Sequence, residues 1–143
     1  MSAALHLFAQ VSGRGIAVPA EAVESVVDIG AIVPAPRAHP AVRGLAALRS
    51  RVVTVVDTWA ALGLPAGPAD ASRAIVTTVD GHQHAVLVDS LEDVARLEVQ
   101  PLPSGLALGH RWGSIATGTA ERAGEPLLVV DLSRLIGGLM PGD

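Results

Sequence analysis

The chain repeats itself, and that restricts its folds more than any other feature. Val55-Val56-Asp57-Thr58-Trp59-Ala60-Ala61-Leu62-Gly63 reads like Val129-Val130-Asp131-Leu132-Ser133-Arg134-Leu135-Ile136-Gly137, an offset of 74 residues (57 to 131). Upstream, Glu24-Ser25-Val26 ahead of Pro34-Ala35-Pro36 reads like Glu92-Asp93-Val94 ahead of Pro101-Leu102-Pro103, at offsets of 68 (24 to 92) and 67 (34 to 101). The drift marks insertions and deletions within a duplicated unit. Neither copy is long enough to bury much apolar surface alone, so two similar lobes must share a core or a seam.

Each copy reads as short strands. Leu5, Leu7, Ala9 and Val11 alternate before Ser12-Gly13-Arg14-Gly15 turns the chain into Ile16-Ala17-Val18. Arg51 to Asp57 is almost wholly β-branched, which predicts a strand buried on both faces. Ala74–Val79 and Ala85–Val88 flank the hairpin dipeptide Asp80-Gly81, and Leu127–Val130 predicts a further buried strand. Helical signals are brief. Ala20–Ser25 follows a proline, and Leu132, Leu135, Ile136 and Leu139 recur at helical spacing. Pro and Gly punctuate the rest. Residues 33–40 and 64–70 hold no regular element, and the second stretch, Leu-Pro-Ala-Gly-Pro-Ala-Asp, reads as a connector between lobes.

Composition removes several functions. Half the residues are apolar, but Phe8, Trp59 and Trp112 are the only aromatics, too few for a surface that stacks bases or sugars. A net charge of −4 argues against nucleic acid, which demands a basic face. The ten basic residues are all Arg, scattered from Arg14 to Arg134. Without Cys there is no disulfide, thiolate metal site or Cys nucleophile. The N-terminus has no basic leader region, and no apolar run approaches the roughly 20 residues of a membrane span. A cytoplasmic protein, reaching a membrane only through a partner, is expected.

The residues that could carry chemistry have plainer roles. Asp57 and Asp131 are paired by the repeat, as in duplicated acid proteases, but neither is followed by the glycine that a tight carboxylate-pairing turn wants. Each is expected to cap the helix after its strand. His82 and His84 share a strand face, yet no third metal ligand is near in sequence. No nucleophile elbow, phosphate loop or dinucleotide fingerprint occurs. No catalytic residue, cofactor or metal is expected. Arg49-Ser50-Arg51 interrupts two apolar runs and must reach solvent, a partner, or a carboxylate such as Asp57.

In order along the chain stand Ile16-Ala17-Val18-Pro19, Val23-Glu24-Ser25-Val26, Pro34-Ala35-Pro36, Val42-Arg43-Gly44-Leu45-Ala46-Ala47-Leu48-Arg49 and Val52-Val53-Thr54-Val55-Val56-Asp57. Val86-Leu87-Val88-Asp89-Ser90-Leu91-Glu92-Asp93-Val94 and Leu127 to Ile136 follow. This collinear set resembles the CheW family over essentially the whole chain. The resemblance implies an all-β fold of two small SH3-like, five-stranded barrels with short helices, forming one intertwined domain over 1–143 with its connector near 64–70. It also implies a non-enzymatic adaptor bridging the cytoplasmic tip of a chemoreceptor (a methyl-accepting chemotaxis protein) to the regulatory domain of a CheA-type histidine kinase. By position, the receptor groove would use Val23, Val26, Leu48 and Arg49, with Val88 and Leu91 from the second lobe. The sequence departs from the family at Ala47, where Asn precedes Leu-Arg, at Ser50, where Gly follows, and at Thr54, where the strand has Pro. Loss of that Gly bears on whether the turn presenting Arg49 can adopt positive φ. A divergent member, one that competes with or localises a receptor array without activating kinase, is the alternative.

Overall fold

A computed structural model describes residues 3–109 and 111–139. Ten strands form two five-stranded sheets. In chain order the elements are β1 (Ala4–Val11), β2 (Arg14–Pro19), β3 (Ser25–Asp28), β4 (Val42–Leu48), β5 (Arg51–Val56), α1 (Thr58–Ala61), β6 (Arg73–Val79), β7 (His82–Leu87), β8 (Ser90–Leu97), α2 (Trp112–Ile115), β9 (Ala116–Arg122), β10 (Glu125–Val130) and α3 (Leu132–Gly137). The Ala20–Ser25 helix expected from the sequence is only a 3₁₀ turn at Ala20–Ala22.

One sheet has the order β8-β1-β2-β10-β9 and the other β3-β6-β7-β5-β4. Laid side by side, the orders are equivalent: β8 with β3, β1 with β6, β2 with β7, β10 with β5, β9 with β4. The repeat is therefore real, but its units are cyclically permuted. A central lobe is made of β3 to β7 without interruption, and a terminal lobe combines β8 to β10 with the N-terminal β1 and β2. In each, a parallel pair lies beside the repeated Val-Val-Asp: Val55 faces Ala85 and, 74 residues on, Val129 faces Ala17.

This topology corrects the expected connector. The 64–70 stretch runs from α1 to β6 and so begins and ends in the central lobe. The chain changes lobe at Pro19–Glu24 and again at Val88–Asp89, where the Val88 amide donates to the Arg73 carbonyl and the Asp89 amide to that of Gln10. Proline and glycine mark an irregular segment, but only strand pairing decides what it connects.

Isolated bridges curl each sheet round. Val33, downstream of edge strand β3, pairs with Leu45 on the opposite edge strand β4, and Gln100, downstream of β8, pairs with Thr119 on β9. Both bridges need a bare backbone beside them. A Cβ on Gly44 would lie 2.1 Å from the Val33 carbonyl oxygen, and one on Gly118, again 74 residues on, 2.7 Å from that of Gln100. Glycine at these positions is a requirement of close backbone approach.

The strands have two buried faces because the lobes share their core. Leu7, Ala9 and Val11 of β1 join Val53, Val55, Ile75 and Val86 of the central lobe and Leu132, Leu135 and Ile136 of α3 in one large cluster. Phe8, on the other face of β1, packs with Ala17, Leu97, Ala120, Leu127 and Val129 inside the terminal lobe. Helix α3 follows a terminal-lobe strand yet packs on β6 of the central lobe, and the Arg111 amide donates to the Leu62 carbonyl across the same seam. A helix this short has no stability of its own and is held by that burial.

Candidate partner-docking surfaces

The two repeated aspartates act as helix caps. Asp57 precedes α1 and accepts from the Ala60 amide at 3.0 Å, and Asp131 precedes α3 and accepts from the Ser133 amide at 2.9 Å. Each serves its own lobe, so they do not form a carboxylate pair. Burial raises the Asp131 carboxyl, but the Ser133 hydroxyl and amide, the Arg134 amide and the Arg134 guanidinium together outweigh it and hold the group below its ordinary value.

The caps differ in one respect. Asp57 is buried and accepts from Arg43 Nε and Nη2 at 3.3 and 3.2 Å, and from the Gly67 amide at 3.2 Å. Its arginine is therefore Arg43, not one from the 49–51 hairpin. The β4–β5 register slips between Val42 and Gly44, leaving Arg43 as the extra residue of a β-bulge, a device that re-aims a side chain. The terminal lobe repeats the bulge with Thr117, whose hydroxyl donates to the Val129 carbonyl instead, so the arginine contact of Asp131 is an exposed 3.7 Å approach to Arg134.

The Arg49-Ser50 turn joins β4 to β5. The three other tight hairpins place a Gly second, at positive φ: Ser12-Gly13, Asp80-Gly81 and Ala123-Gly124. At the fourth, Ser50 does not take positive φ, and Arg49 itself does, at 57°. Arg49 is left-handed in the same way as Ser12, Asp80 and Ala123, the first residues of the other three hairpins, so the missing glycine shows only at Ser50. Arg49 is exposed and has no hydrogen bond or ion pair among the described residues.

Arg51 acts on an exposed carboxylate only at longer range. Glu24, just before β3, accepts from the Thr78 hydroxyl and from the Gln83 amide at 2.7 Å, and these bonds, with the nearby Arg51 guanidinium, hold its carboxyl below the ordinary value. Val26 is 40% exposed on its edge strand, while Val23, Leu48 and Leu91 are half-buried against the shared core. Val88 is different. It is 2% exposed, because it lies where the chain crosses between lobes and its side chain belongs to the core. It can support a groove from below but cannot line one.

A second apolar surface escapes the sequence pattern. Leu45 pairs with Val33 and Thr54, and Ala47 with Val52, so these side chains share one face of the β4–β5 hairpin. Val33 and Val52 are each 66% exposed. Val52 was expected to be buried on both faces, but β4 is the sheet edge and leaves the first half of β5 open.

Two intertwined five-stranded lobes, exposed aliphatic strand faces and an unpaired arginine define a protein whose prominent surfaces are suited to protein contact. Residues 6–139 match the family described as the CheW-like domain, and the chain belongs to that family. Among solved structures it is similar to the scaffolding protein TtCheW from Thermoanaerobacter tengcongensis, with a TM-score of 0.80 at 18% identity, covering 93% of this chain and 92% of that one. No curated protein matches the sequence. No helix among the described residues is long and apolar enough to cross a membrane.

Proposed function

We propose that the protein is a cytoplasmic, non-enzymatic adaptor in chemotaxis signalling that holds a chemoreceptor's cytoplasmic tip and a CheA-type histidine kinase together. The observation that carries this reading is the match of residues 6–139 to the CheW-like domain, supported by a fold shared with a scaffolding protein over nearly its full length. The receptor surface is assigned to Val23, Val26, Leu48, Arg49 and Leu91, with Val88 beneath them. An aliphatic centre with a single arginine at its rim has the make-up of a protein interface. The kinase is assigned to the separate β4–β5 face of Val33, Leu45, Ala47 and Val52.

The test is kinase activity reconstituted with receptor, kinase and this protein, beside a pull-down with the purified chain as bait. Stimulated autophosphorylation, lost on Val26→Glu while circular dichroism stays unchanged, is the expected result. Capture of receptor without kinase stimulation would favour a competing or localising module, to which the Ala47 and Ser50 departures at the hairpin would then be traced. Capture of neither partner by a folded bait would end the adaptor reading.

A further inference from the structure

The central lobe contains a cavity of about 610 Å³, bounded by the 35–39 segment, β4, β5, β7 and Leu139. Val42, Leu45 and Leu139 give it an apolar wall, with the buried Val56 behind them. Its titratable lining groups are Arg37, His39, His82 and His84. Neither β4 nor β5 adds a charged group, and among the described lining residues there is no carboxylate. In a chain of net charge −4 this is a locally cationic recess, suited to an anion.

His84 is the buried member, 5% exposed. Its Nδ1 lies 3.0 Å from the His82 carbonyl, an acceptor, so Nδ1 carries the proton and Nε2 a lone pair. The described residues give Nε2 no partner. His84 is among the residues that line the cavity. His39 has the opposite arrangement. Its Nδ1 accepts from the Ala41 amide at 3.0 Å, leaving Nε2–H as a donor.

We infer that this cavity binds a small aliphatic carboxylate, its chain against Val42, Leu45 and Leu139, its headgroup held by Arg37, His39 and a His84 that takes up one proton from solvent on binding. Burial, the largest influence, lowers the His84 pKa and so favours the neutral imidazole, with the bond to the His82 carbonyl opposing it and the charge of His82 adding to it. A carboxylate beside Nε2 supplies the missing counter-charge and favours the imidazolium. Affinity therefore rises as pH falls. The volume is in the range of small-molecule sites. None of this depends on the adaptor reading.

Calorimetric titration of the full chain with butyrate, hexanoate and octanoate, at pH 6 and pH 8 and in buffers of different ionisation enthalpy, tests it. Affinity should rise about fourfold per methylene. Octanoate should bind at least tenfold more tightly at pH 6, with uptake of about one proton. Arg37→Gln, on an exposed loop, should weaken binding at least fivefold. His84→Phe should remove the pH dependence. Should that variant not fold, nitrogen-15 spectra of wild-type histidines replace it, with octanoate expected to shift His84 Nε2 to its protonated position. No binding at millimolar octanoate would overturn the inference. Binding indifferent to pH and to Arg37→Gln would also overturn it, leaving only a non-specific apolar recess.

Discussion

Replacing Asp57 and Asp131 in turn by alanine asks how differently two copies of one motif are used. At Asp131 the alanine removes a half-exposed cap, a loss of about 1 kcal/mol. Asp57→Ala removes the same cap and also leaves the Gly67 amide without its acceptor. It strands Arg43, whose side chain is only 16% exposed, without a counter-charge. Breaking a buried pair from one side costs about 3–5 kcal/mol, largely through the charge left behind. The expected loss is therefore about 4 kcal/mol, a large share of the 5–15 kcal/mol typical of a domain. Urea unfolding at pH 7 measures both variants, and the double variant Arg43→Ala, Asp57→Ala closes the cycle. Because that variant has no stranded charge, it should be less destabilised than the sum of the two single changes. Equal losses at Asp57 and Asp131, or strict additivity at Arg43 and Asp57, would refute the argument that the bulged arginine separates the two sites.

Gly44→Ala would place a methyl 2.1 Å from the Val33 carbonyl oxygen and should cost about 1–3 kcal/mol by overpacking, read as a shift in urea midpoint without change of slope. Arg49→Gly should stabilise by about 0.5 kcal/mol, since glycine relieves a left-handed residue at some cost in unfolded-chain entropy, while weakening receptor binding in the same preparation. Burial lowers the His84 pKa, so below its ordinary 6.5 the unfolded chain takes up a proton that the folded protein refuses. Stability is therefore full above pH 6.5 and declines below it. His84→Gln should flatten that part of a Tm–pH profile. The Glu24 carboxyl is lowered by its hydrogen bonds, so its contribution is present above its ordinary 4.5 and is lost only in more acid solution, a decline that the His84 variant should retain.

The local elements were legible because their signals are local. Asp80-Gly81 turns β6 into β7, the β-branched run from Arg51 became β5, the buried run Leu127–Val130 became β10, and both aspartates cap as their positions implied. The duplication was legible too. Its boundaries were not, because residues 64–70 have a linker's composition whether the strands they join share a sheet or not. The exposure of Val52 depends on which strand forms the sheet edge, a property of pairing across the chain. Arg43 was missed as the partner of Asp57 in favour of nearer arginines, since a single-residue slip in a ladder leaves no mark in the sequence pattern. Val88 was placed in a groove by family position, whereas the lobe crossing draws it into the core. The cavity around His84 combines residues from three strands, a loop and the chain's last described turn.

The cyclic permutation has a consequence for the order in which the protein is made. The central lobe lies between Ser25 and Leu87 and can gather all five strands while the ribosome is still working. The terminal lobe cannot. β2 emerges early and must keep its edge unpaired until Leu128 and Val129 arrive to meet Ile16 and Ala17. Non-local pairing of this kind is slow to form, and an open apolar strand is prone to aggregate while it waits. A ribosome stalled after β7 would thus display a nearly complete lobe tethered to an unfinished hairpin. Cutting the gene between lobes would yield one fragment that holds all five strands of its sheet and two that must find each other, with the shared core broken in every piece.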